Sequence, residues 1–141
     1  MSIKKVATVL ALSAATILPG FALAAPAASQ ASAPCVLKEH RVVKVQPLNV
    51  TERYGRGTAE RLAGATVFIQ AAPGLTAEWL QLTLQRHVLQ MAGSNMPNCA
   101  LGAKDLQVSV VSAGNGFAVK LSSTNADQAK EILRRAQLLV Q

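Results

Sequence analysis

Aromatic residues are scarce in this 141-residue chain: three Phe, one Trp and one Tyr. A stacking platform for single-stranded nucleic acid needs several aromatics on one surface, so the sequence offers none, and a nucleic-acid partner is not expected. Acids are few as well, seven against fourteen Lys and Arg, and the only histidines are His40 and His87. The seven carboxylates are scattered, and no Ser/His/Asp, HExxH or phosphate-loop pattern occurs. The sequence therefore names no catalytic residue and no cofactor. The chain reads as non-enzymatic; the alternative is an enzyme whose site converges only in three dimensions. Cysteine is limited to Cys35 and Cys99, and the Cys-x-x-Cys spacing of a redox pair is absent.

What is present begins with the N-terminus. Lys4 and Lys5 precede an apolar run from Val6 to Leu18, then Pro19-Gly20 and an Ala-x-Ala ending at Ala24. This three-part layout predicts a secretory signal cleaved after Ala24. The run falls short of the roughly 20 residues that a spanning helix needs, so no stable membrane insertion is expected after cleavage. Cys35 lies well past the cut and is preceded by Ser-Ala-Pro, unlike a lipidation site. Loss of Lys4 and Lys5 takes the formal net charge from +7 to +5. Residues 25–34, small, polar and proline-bearing, read as a flexible linker. Residues 35–141 read as one domain.

Export places both cysteines in an oxidising compartment, where an even count favours a Cys35–Cys99 disulfide. Downstream, Leu75–Ala92 has the strongest helical pattern. Thr76 is the expected N-cap, Leu80, Leu84, Val88, Met91 and Ala92 form its apolar stripe, and Gly93-Ser94-Asn95 ends it. Asn125–Val140 is a second helix with Ala129, Ile132, Leu133, Ala136 and Leu139 inward and Lys130, Arg134 and Arg135 on a solvated face. Strands are expected where Val43 and Val45 flank Lys44, at Ala65–Ala71, at Leu106–Val111 and after a Gly-rich turn at Phe117–Leu121. Pro47 marks its strand as an edge. The order strand, strand, helix, strand, strand, helix predicts an α+β two-layer sandwich, an antiparallel sheet with both helices on one face. From Ala65 onward the order is that of a ferredoxin-like arrangement with one strand displaced, the first strand joining an edge.

Three sets of residues are candidate sites. The most basic window, Arg53–Gly64, reads as a loop or irregular strand in which Arg53, Tyr54, Arg56 and Arg61 meet an anionic partner. His87 and Met91, four apart on the first helix, are a candidate soft-metal pair, with Met96 and His40 as further ligands and copper as the metal such donors suit. Met91 also belongs to the apolar stripe, and a histidine beside it reads as a boundary residue. Trp79 in the first helical turn is expected to cover the sheet edge rather than to anchor a partner. The function these features favour is a small periplasmic, non-catalytic binding or accessory module whose partner is another cell-envelope protein. A periplasmic copper-type binding protein is the alternative.

Overall fold

The computed structural model describes residues 34–91 and 96–140, all within the compact unit Ala31–Gln141. The expected leader, the linker up to residue 33, Ala92 of the first helix's stripe and the helix stop at 93–95 lie outside the described residues. The chain builds four antiparallel strands and two α-helices in the order β1 (Val42–Tyr54), β2 (Gly57–Gln70), α1 (Ala77–Met91), β3 (Gln107–Ala113), β4 (Gly116–Ser122), α2 (Ala126–Gln137). The strands lie side by side as β1-β2-β4-β3. The stretch β2-α1-β3-β4-α2 thus has the ferredoxin-like connection, and β1 fills the edge beside β2.

Register decides which residues meet the helices. Val45, Val67, Val119 and Val110 form one cross-strand row, and Pro47, Ala65, Leu121 and Val108 the next. In these rows Val67, Ala65, Val119 and Leu121 are fully buried. Leu80 and Leu84 of α1 and Ala129, Ile132 and Ala136 of α2 complete the core. Each such side chain contributes roughly 1.5–3 kcal/mol, Ala less, when removed from water. Both caps form as the sequence predicts. The Trp79 N–H donates to Thr76 Oγ1 at 3.2 Å, and Asn125 Oδ1 accepts from the Asp127 and Gln128 N–H groups at 2.9 and 3.1 Å. Gln128 does not close a reciprocal capping box; its side-chain oxygen accepts from the Lys104 N–H instead.

Three departures follow from backbone geometry. Of the two readings of the basic window, loop or irregular strand, the strand holds. β2 begins at Gly57, eight residues before its expected start, and the two-residue turn Gly55–Arg56 joins it to β1, with Gly55 at φ 59° supplying the left-handed conformation. β4 pairs with β2 only between Gly64 and Gln70, so the outer half of the hairpin runs on as a two-stranded ribbon. Gly64 marks the junction at φ 153°, where any side chain would collide with the Leu121 carbonyl. The second departure is a bulge. Val42 pairs with Ile69 and Lys44 with Phe68, leaving Val43 as the extra residue. Val43 is therefore 60% exposed, and Val42 joins Val45 in packing on the core. The third concerns the connections. The 3₁₀ turns Val36–Glu39 and Ala100–Gly102 bury Leu37, Ala100 and Leu101 in the main core, although the sequence shows no period there.

The Cys35–Cys99 disulfide is formed, with both residues buried. Arg135, expected on the solvated face of α2, is mostly buried and ties down the Cys99 loop. Its guanidinium donates to the carbonyls of Met96 and Cys99 at 3.1 and 3.3 Å and pairs with Glu131 at 2.7 Å.

The two sheet edges are both guarded. On β3, the Gln81 side chain of α1 takes the place of a neighbouring strand. Its Nε2 donates to the Val108 carbonyl at 2.8 Å, and its Oε1 accepts from the Val110 N–H at 2.6 Å. On β1, Pro47 and the Val43 bulge interrupt the edge, two devices that discourage an added strand.

Candidate functional site

Each expected partner-binding residue now has a position. Arg53, Tyr54 and Arg56 are exposed at the tip of the ribbon. Arg61 is not free to greet a partner. Its Nε donates to Glu52 at 2.7 Å, and Nη1 reaches the Leu62 and Ser123 carbonyls at 3.2 and 3.4 Å. It fastens the base of the ribbon to the end of β4. The Tyr54 hydroxyl donates to the same Glu52 carboxylate. That hydrogen bond, with the one from Arg61, lowers the Glu52 pKa, and the carboxylate in turn raises the Tyr54 pKa. The expected set is thus divided: Arg61 and Tyr54 are held by Glu52, and Arg53 and Arg56 point to water. Sequence spacing could not reveal this, because Arg61 and Glu52 meet only across the hairpin.

His87 and Met91 both lie on the buried side of α1. His87, expected at the boundary, is only 5% exposed, and its Nε2 has no hydrogen-bond partner among the described residues. Burial lowers its pKa, with the carboxylate of Glu39 acting the other way. The His40 ring packs edge-on against Trp79 with centroids 6.4 Å apart, and its Nε2 is likewise buried with no hydrogen-bond partner among the described residues. Met96 is half-buried in the loop held by Arg135. Among the described residues no group of three or more His, Cys, Asp and Glu is placed to hold a metal ion.

The surface that sequence spacing did not single out is the second face of the sheet. Its rows are Lys44–Phe68–Ala118–Val111, Gln46–Thr66–Lys120–Ser109 and Leu48–Gly64–Ser122–Gln107. Among the described residues neither α-helix covers it. Small residues, Gly64, Thr66 and Ala118, occupy its centre and are buried, Thr66 at 8% and Ala118 at 5% exposure, while Lys44, Gln46, Ser109 and Lys120 around them are exposed. Its charges are of one sign. The seven acids, Glu39, Glu52, Glu60, Glu78, Asp105, Asp127 and Glu131, all lie outside the four-stranded body of the sheet. Lys44 and Lys120 are its only charged residues. The alternation of each strand was legible, but which strands stand side by side was not, and the face exists only through that order.

Comparison with protein-family models, with curated proteins and with solved structures finds no match.

Trp79 is the remaining candidate. It stands 52% exposed, with its ring edge-on against His40, and Leu82 and Leu89 of the same helix are more exposed still. The contrast with α2 is sharp. The outer side of α2 carries the ion pairs Lys130–Asp127 and Arg134–Glu131, each spaced three apart, and the Glu131 pKa is pushed down to about 2 by hydrogen bonds from Arg134 and Arg135. Trp79 sits on the flank of α1 because Leu80, the next residue, takes the inward position, and adjacent helical residues diverge by about 100°.

Proposed function

We propose that this protein is a small exported, non-catalytic binding module of the cell envelope, whose sheet face opposite the two helices receives an acidic surface of a partner protein. One observation carries the reading: a whole sheet face with two lysines, small central residues and no carboxylate. Such a face attracts an acidic partner over a distance of the order of the Debye length, about 8 Å at physiological salt, and repels basic ones. The predicted secretory signal and the Cys35–Cys99 bridge support an oxidising compartment outside the cytoplasm. The guarded strand edges argue for docking on a face rather than by strand addition.

The test is site-directed photocrosslinking in intact cells, with the photoreactive residue at Ser109 on the face or at Lys130 on the outer side of α2. The expected result is a discrete protein adduct from Ser109 alone, lost in Lys120→Glu. Identical adducts from both positions, or none from Ser109, would overturn the reading.

A further inference from the structure

Where the sheet ends beside the β3–β4 turn, a groove of about 630 Å³ opens. Arg41 and Lys44 stand on the β1 side, Gln70 on β2 and Asn115 on the turn opposite, with Phe68 and Phe117 between them. Its volume falls in the range of small-molecule sites, about 300–1,000 Å³, which are typically apolar with a few placed polar groups.

The bulge at Val43 builds one wall. In a regular strand Val42 and Lys44, two residues apart, would share a face. The extra residue sends Val42 to the core row with Ile69 and Lys44 to the opposite row beside Phe68. Bulges are concentrated where a strand must re-aim a side chain, and here the re-aimed group is a cation set against an aromatic ring.

The charges of the groove are unbalanced. Arg61, Lys130, Arg134 and Arg135 each have a carboxylate partner. Among the described residues Arg41 and Lys44 have none, and no acid lines the groove. A bound anion would meet two uncompensated cations, and the Gln70 and Asn115 amides would be within the same groove to accept or donate hydrogen bonds. The groove is also apolar at its lips. Val43 and Val140 line it and are 60% and 45% exposed, so apolar surface that now faces water would be covered by an apolar body.

We propose that this groove binds a small amphiphilic anion, a carboxylate or phosphate head held by Arg41 and Lys44 with an alkyl chain lying along Phe68, Val43 and Val140. The groove shares Lys44 and Phe68 with the end of the sheet face, but the proposal does not require protein docking there; Lys120 and Ser109, which test that reading, do not line the groove.

Amide chemical shifts of the purified protein, titrated below micelle-forming concentrations, provide the test. The probes are decyl phosphate, decanoate, decanol and inorganic phosphate. The expected result is a saturable shift of the Arg41, Lys44, Phe68, Gln70 and Asn115 amides with decyl phosphate, decanoate or both. A preference between the two assigns the head group and supports the proposal. Decanol and inorganic phosphate should bind there at least about tenfold more weakly, each lacking one half of the interaction. Arg41→Gln with Lys44→Gln should weaken the anionic amphiphiles about tenfold, the loss of two exposed charge contacts. Both positions are exposed, so the urea midpoint should be unchanged, which separates lost binding from lost folding. Absence of a saturable shift at these residues, equal binding of decanol, or full affinity in the double variant would overturn it.

Discussion

Replacing Gln81 tests how the sheet closes its β3 edge. Gln81→Met keeps the length and most of the volume of the side chain and removes both hydrogen bonds to Val108 and Val110. A neutral hydrogen bond contributes about 1 kcal/mol net, so two contribute about 2 kcal/mol. Gln81, Val108 and Val110 are half-buried, so water can reach part of the freed backbone and trim the loss to about 1–2 kcal/mol. With a urea slope of about 1.5 kcal/mol/M for a domain of this size, the unfolding midpoint should fall by roughly 1 M with the slope unchanged. The freed Val108 carbonyl and Val110 N–H also form an open edge, so the variant should associate with rising concentration in gel filtration. A midpoint within about 0.2 M of the parent, well inside that expected fall, and a concentration-independent elution volume would refute the edge role.

Further outcomes follow from the disulfide and from two titratable side chains. Reduction of Cys35–Cys99, a bridge spanning a sequence separation of 64, should lower stability by about 4 kcal/mol through the restored entropy of the unfolded chain. Urea unfolding with and without reductant measures this, and a change below about 1 kcal/mol would contradict the chain-entropy account. Burial lowers the His87 pKa, so below the unfolded-state value of about 6.5 the unfolded chain binds the extra proton first. Stability should therefore fall as pH drops from 6.5 through the lower folded value. His87→Leu should flatten that decline and leave stability at neutral pH unchanged or higher, since the buried Nε2 gains nothing now. The Glu131 contribution occupies a separate window: it is present above the ordinary value of 4.5 and lost as pH falls toward about 2. An unchanged decline between pH 6.5 and 5 in His87→Leu would show that another group carries it.

Much of the fold was legible because its signals are local. The Thr76 and Asn125 caps, the Leu80–Leu84 spacing and the alternation of Val67, Phe68 and Ile69 each report on a few adjacent residues. The departures share one cause: they depend on what lies across the chain. Arg61 resembles Arg53 and Arg56 in sequence, and only the hairpin register places Glu52 beside it. The aperiodic segments around Leu37 and Leu101 carry no pattern, and they are buried because the disulfide and Arg135 draw them against the helices. Val43 alternates as a strand residue should, yet a single bulge turns it out to water.

The sequence by itself determined the class of the protein: a disulfide-bridged α+β domain with two amphipathic helices, edge-marked strands and no catalytic motif. Those properties follow from periodicity, capping and composition, which act within a few residues. Only the tertiary structure decided the surfaces. The acid-free sheet face and the groove at its end arise from the order β1-β2-β4-β3 and from the bulge at Val43. That order brings Lys44 and Lys120, far apart in sequence, onto one plane, and no local pattern records which strands will be neighbours.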